Sequence, residues 1–146
     1  MAVVEAGAKE ASAALEARGI ETQPGFEAVV FGGLEVDQLT LLGGDRDVGL
    51  NTLDLVRPRS ARYRSEAAGR SIRAPLRDRQ VRVLAPEDFV LFKLLSNRVR
   101  DVEDARSVLR RIEDRLDLAL VQREVRALAA EIPDHDIRRR WTESSA

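Results

Sequence analysis

Between Pro86 and Leu95 the chain reads Pro-Glu-Asp-Phe-Val-Leu-Phe-Lys-Leu-Leu, and from Phe89 onward only Lys93 is polar. A helix that is apolar on nearly every side has no face to give to water, so the rest of the chain has to be packed around it. The run is far too short to cross a membrane. Val81 and Val83 alternate with polar residues just before it, as in a strand, and Ala85-Pro86 breaks that pattern. Proline is pre-set for the first helical position, and Glu87 and Asp88 suit the positive end of the helix dipole. The helix that starts at Pro86 is expected to be the most buried in the protein.

The remaining elements follow from periodicity and end signals. Asn97 to Arg100 makes a short polar break. Asp101 is expected to cap the next helix with Asp104 as its N3 acid, and Val102, Ala105, Leu109 and Ile112 form its apolar face. Asp117 caps another helix, striped by Leu118, Val121, Val125, Leu128 and Ile132 and stopped by Pro133. A last short helix from Asp134 buries Ile137 and Trp141 and leaves residues 143–146 as a tail. His135, the only histidine, lies in that charged terminal segment and is expected to be exposed. Upstream, a helix spans Glu5 to Arg18 and ends at Gly19. Glu27–Phe31 and Leu34–Leu42 form a hairpin across Gly32-Gly33, which buries Val29 or Val30. Gly43-Gly44-Asp45 closes it. Asp47 to Val56 is expected to be an irregular connection with an apolar patch, and Ser60 to Ala68 a short helix. The fold class is α+β: a small mixed or antiparallel sheet with a β-hairpin, packed by helices, and a C-terminal helical segment.

The chain of 146 residues suits one domain, with an α/β part over 1–85 and a helical part over 86–142. It is 44% hydrophobic and 34% charged, and it has no cysteine, which excludes disulfides and thiolate metal sites. Glu5 and Lys9 interrupt the segment where a signal peptide needs its apolar stretch, so the expected location is the cytoplasm, with no membrane partner. Net charge is −1 but unevenly spread, with three basic and ten acidic residues over 1–56, and nine arginines against two acids over 57–82. Arginine forks match phosphate oxygens, so that stretch suits a nucleotide or an RNA backbone, although a solvated surface balancing the acidic part is the simpler reading.

Three sets of residues stand out as candidates. Asp37 shares a strand face with Leu39 and Leu41, where a carboxylate is costly unless it is paired or bound to a cation; the alternative is a solvated aspartate at the sheet rim. Lys93 is either a phosphate contact or a lysine snorkelling from a buried helix. Asp101 and Asp104 are explained by capping, and equally suit a site at the helix start.

Pro86-Glu87-Asp88, Lys93-Leu94 and Arg98-Val99-Arg100-Asp101-Val102-Glu103-Asp104 occur in that order after a strand. The order resembles the C-terminal half of the nucleotidyltransferase-like domains of bacterial toxin and abortive-infection systems. Those domains carry a [ST]-P-E-D helix start, a K-L helix and an R-x-[KR]-D-x-x-D turn. Leu34-Glu35-Val36-Asp37-Gln38-Leu39 is similar to the strand that bears their third metal-binding carboxylate. The resemblance implies transfer of a nucleotide from an NTP to a hydroxyl of tRNA or protein with Mg. It implies Asp37 as metal ligand, Asp37, Lys93, Asp101 and Asp104 as catalytic residues, and Lys93, Arg98 and Arg100 as phosphate contacts. The family's Gly-[Gly/Ser] helix entry and Asp-x-Asp strand have no counterpart here. The expectation is therefore an N-terminally incomplete, degenerate relative, inactive alone. The other expectation is a non-catalytic or antitoxin-like module for a cognate protein or an RNA.

Overall fold

The computed structural model describes residues 7–42 and 51–146, with the backbone of Ala2 and Val3; the expected Gly43-Gly44-Asp45 turn and the start of the predicted Glu5–Arg18 helix lie outside the described residues. The fold is α+β, as expected, with six α-helices and six strands among the described residues. The chain forms two compact units, residues 1–57 and 58–146.

The first unit holds β1 (Ala2–Val3), α1 (Ala8–Glu16), β2 (Thr22–Phe31), β3 (Leu34–Leu41) and β4 (Thr52–Pro58). The strand order is β1-β4-β3-β2, with β1 parallel to β4 and β2 antiparallel to β3, which makes the sheet mixed. At the start of α1, Glu10 reaches back to accept from the Gly7 N–H at 3.1 Å. At its end Gly19 takes φ +78°. Its N–H then bonds Glu16 O, and the Ile20 N–H bonds Leu15 O, so two otherwise orphaned helix carbonyls are satisfied. Ala8, Leu39 and Leu55 form the core of this unit, with Ala11, Leu15 and Leu53 packed against them.

The hairpin is present, with Phe31 opposite Leu34. Of the paired glycines only Gly32 uses positive φ, at 65°, the conformation that a two-residue turn with glycine in its first position demands. Two expectations fail in this unit. Val29 and Val30 are exposed, Val30 at 54%, because register shifts on either side of Phe26 interrupt the inward alternation of β2. Residues 52–58 form a strand and not an irregular connection; Leu53 and Leu55, alternating with Asp54, carry the period of two that marks it.

The second unit runs α2 (Ala61–Arg70), β5 (Ile72–Leu76), β6 (Arg79–Val83), α3 (Pro86–Leu95), α4 (Val99–Ile112), a 3-10 turn (Glu113–Arg115), α5 (Leu118–Glu131) and α6 (Ile137–Ser145). As the sequence requires, α3 starts on Pro86 and buries Val90, Leu91, Phe92, Leu94 and Leu95. Ser60 caps α2 by accepting from the Tyr63 N–H, and Asp117 caps α5 through the Leu120 N–H. Buried charge ties α2 to its neighbours. Asp88 of α3 is fully buried and accepts from Arg70 Nη2 at 2.7 Å and from the Tyr63 hydroxyl at 3.0 Å. Arg62 bonds Glu124 and Glu131 of α5, and the Ser60 hydroxyl also donates to Glu131.

Three local expectations are corrected here. α4 begins at Val99, with Arg98 in the cap position, so Asp101 sits inside the first turn and is not its cap. Residues 143–146 are no loose tail, since α6 continues to Ser145 and buries Ser144, while Trp141 is only half-buried. His135 is buried and not exposed. Its Nε2 lies 2.8 Å from the Leu94 carbonyl, which also accepts from Arg140 Nε at 3.0 Å, so two side chains satisfy a carbonyl that the end of α3 leaves orphaned. Burial, aided by the nearby Arg140 charge, pushes the His135 imidazole below its ordinary value, and the ring is neutral at neutral pH.

Candidate functional site

Asp37 is 3% exposed, and both of its carboxylate oxygens are occupied. Oδ2 accepts from Arg57 Nη1 at 2.6 Å and from the Ala8 N–H at 3.0 Å. Oδ1 accepts from the Ala28 N–H at 2.7 Å and from Arg57 Nη2 at 3.1 Å. A second carboxylate, Glu35, accepts from Arg57 Nη2 at 2.5 Å. One aspartate on β3 thereby ties together the start of α1, a distorted residue of β2 and the end of β4. Burial pushes the Asp37 carboxyl upward, but the Arg57 fork and the two backbone N–H groups outweigh it, and its value lies below the usual carboxylate range.

The bond from Ala28 has a conformational cost. Its φ of +52° is left-handed, within the second register shift of β2, and this turns its N–H toward Asp37. The Cβ penalty there is about 1–2 kcal/mol, whereas glycine adds only about 0.5–1 kcal/mol of unfolded-state entropy. Ala28→Gly should therefore stabilise the protein by about 0.5–1 kcal/mol in urea melts, and a loss of that size would show the left-handed turn to be unstrained.

The other predicted residues meet in the second unit. Lys93 Nζ donates to Asp101 Oδ1 and to Asp104 Oδ2, both at 2.8 Å, and lies 5.6 Å from the centroid of the Phe89 ring. Helical spacing places Asp101 and Asp104 on one face of α4, opposite the last turn of α3. Burial pushes the Lys93 amine down, but the two aspartates more than offset it and the net shift is upward. Burial pushes the Asp101 carboxyl up, but Lys93, the Ser96 hydroxyl and the Arg98 charge together outweigh it, and its value lies below the ordinary one. Arg98 and Arg100 are exposed at the start of the same helix. Asp37 belongs to the first unit.

Arg57 and Asp88 were not singled out as functional from the sequence. Nothing local marks Arg57, because its partner Asp37 is 20 residues away. For Asp88 the sequence marks a helix start and the Pro86-Glu87-Asp88 motif, and its place one turn before Phe92 on an otherwise buried helix is a usable signal of burial.

Eight of the nine arginines between 57 and 82 are divided by their contacts. Arg57, Arg59, Arg62 and Arg70 pair with carboxylates. Arg82 donates to the Ser71 hydroxyl and the Ala68 carbonyl. Arg73, Arg77 and Arg79 are exposed on the β5–β6 hairpin, with no carboxylate partner among the described residues.

The magnesium implied by the resemblance can be tested against Asp37. A hard cation needs open oxygen lone pairs, and here four N–H donors occupy them, two from a guanidinium that would repel it. The residues present do not fit that ion. Among the described residues no group of three or more His, Asp or Glu side chains is arranged to hold a metal, and no helix is long and apolar enough to cross a membrane. Compared with models of known protein families and with curated proteins, the chain matches none.

Proposed function

We propose that this chain is a degenerate nucleotidyltransferase-like domain that acts as a non-catalytic, antitoxin-like binding module for a partner macromolecule. The observation that carries the reading is the state of Asp37, whose two oxygens are taken up by Arg57, Ala8 and Ala28. Nucleotidyl transfer with magnesium depends on converging carboxylates that are open to metal ions about 4 Å apart. The cluster at Lys93 supports the same reading. Its ammonium, the group the resemblance assigns to phosphate, is already neutralised by Asp101 and Asp104. Arg98 and Arg100 remain available to an anion, which favours weak triphosphate binding with little dependence on magnesium.

The test is incubation of the purified 146-residue protein with each labelled triphosphate, magnesium and bulk tRNA. No label should move to tRNA or to the protein itself. Magnesium-dependent transfer by the wild-type protein would restore the catalytic reading, with NTP as substrate and tRNA or protein as acceptor.

A further inference from the structure

The β5–β6 hairpin is a two-sided ribbon with distinct faces. Its register sets Ile72 opposite Val83, Ala74 opposite Val81 and Leu76 opposite Arg79, so these share one face; Arg73 opposite Arg82 and Pro75 opposite Gln80 share the other. The first face is mainly apolar yet open to solvent, with Leu76 60% exposed, Ile72 48% and Val83 37%. The second is basic. β5 and β6 pair only with each other among the described residues, so both outer edges of the ribbon carry unpaired backbone groups.

The two edges are not equivalent. In a two-residue hairpin the residues flanking the turn, here Leu76 and Arg79, form the hydrogen-bonded pair, and such pairs alternate with pairs whose N–H groups point outward. The outward pairs are then Pro75/Gln80 and Arg73/Arg82. Proline has no N–H, so β5 loses one of its two outward donors, whereas β6 keeps both, on Gln80 and Arg82. β6 is the complete template.

From this we infer that the outer edge of β6 receives an extended segment of a partner protein in which apolar and acidic residues alternate. Such a strand completes the ladder through the Gln80 and Arg82 N–H groups. Its apolar side chains extend the face of Ile72, Val81 and Val83, and its acids meet Arg82 and Arg73 on the other. A second copy of the same edge is disfavoured, because paired β6 strands would set the basic face of one copy, with Arg82, beside that of the other and supply no acids to meet it. Nucleic acid fits less well, since the ribbon has no aromatic residue for stacking, exposes aliphatic side chains and carries Asp78 at its tip. This inference names the partner for the binding module proposed above and rests on that reading.

The probe is a capped decapeptide of alternating valine and glutamate, compared with an alternating valine-lysine peptide, a valine-glutamate peptide of scrambled order and bulk tRNA. Binding is followed by amide exchange and chemical shifts of the full chain. The alternating acidic peptide should bind at least about tenfold more tightly than either control peptide, a difference of about 1.4 kcal/mol or more. It should protect the Gln80 and Arg82 amides from exchange and leave that of Arg73 unprotected. Gln80→Pro should abolish the protection. Arg73→Glu with Arg82→Glu, which leaves the backbone edge intact, should weaken binding by at least tenfold, about 1.4 kcal/mol. Equal binding of the scrambled peptide, protection of Arg73 in place of Gln80, no protection at millimolar peptide, tighter binding of tRNA through the same arginines, or self-association through β6 would each overturn the proposal. Nucleotidyl transfer in the assay above would sink the binding-module reading without touching these amide results, so the two failures are distinguishable.

Discussion

Arg57→Leu should destabilise the protein by about 3–5 kcal/mol at neutral pH, the range for removing one partner of a buried ion pair and leaving the other charged. The size follows from what remains around Asp37. Without the guanidinium its carboxylate keeps only the Ala8 and Ala28 N–H groups, while its burial persists. Against a total stability of about 5–15 kcal/mol, the loss is enough to unfold part of the population under mild conditions. The pH dependence should change sign with the substitution. In the wild type the Asp37 carboxyl lies below its unfolded value of 3.8, so its contribution is complete above that pH and is lost as pH falls through the folded-state value. In Arg57→Leu burial prevails and the folded-state value rises above the unfolded one, so acid protonates the native carboxyl and relieves the penalty. The gap between the two proteins in urea melts should therefore be wide at neutral pH and narrower at about pH 4. Asp37→Asn in the Arg57→Leu background should recover part of the loss, because an amide is not charged. A single-substitution cost below about 1 kcal/mol at neutral pH would place the pair in a solvated setting and remove its structural role.

Leu94→Ala should cost about 2–5 kcal/mol, the range for emptying a packed leucine site. Leu94 is fully buried, as are Val90, Leu91 and Leu95 on the same helix, so little surrounding space can relax into the cavity. The position is also a junction, since its carbonyl accepts from both His135 and Arg140 of the C-terminal segment. Denaturant melts followed by far-ultraviolet dichroism measure the loss, and Leu95→Ala should behave alike. A change under about 1 kcal/mol would mean that α3 lies at the surface.

The contrast between these two positions separates what was legible in the chain from what was not. Leu94 stands in a run whose apolar composition announces burial, and Pro86, Asp117, Gly19 and Gly32-Gly33 mark their element ends by local backbone chemistry. Such signals act over one to five residues, which is the range that periodicity and capping cover. Where a charge finds its partner is a different problem. Arg57 reaches Asp37 across 20 residues, Arg62 reaches Glu131 across 69, and His135 reaches the Leu94 carbonyl across 41. A sequence shows that an aspartate on an apolar strand face needs compensation, but a metal ion, an arginine and solvent satisfy that need equally on paper.

By itself the sequence determined the α+β class, the hairpin at Gly32-Gly33, the burial of the helix that starts at Pro86 and the order of the helices after it, because each depends on local periodicity and caps. Only the tertiary structure decided that β4 is a strand, that β2 turns Val29 and Val30 outward, and that His135 is inside. It also decided that Asp37 and Lys93 are each neutralised by side chains of opposite charge. The physical reason is that a buried polar group takes the nearest partner the packed backbone brings within hydrogen-bond reach, and that proximity is a property of the fold and not of neighbouring residues.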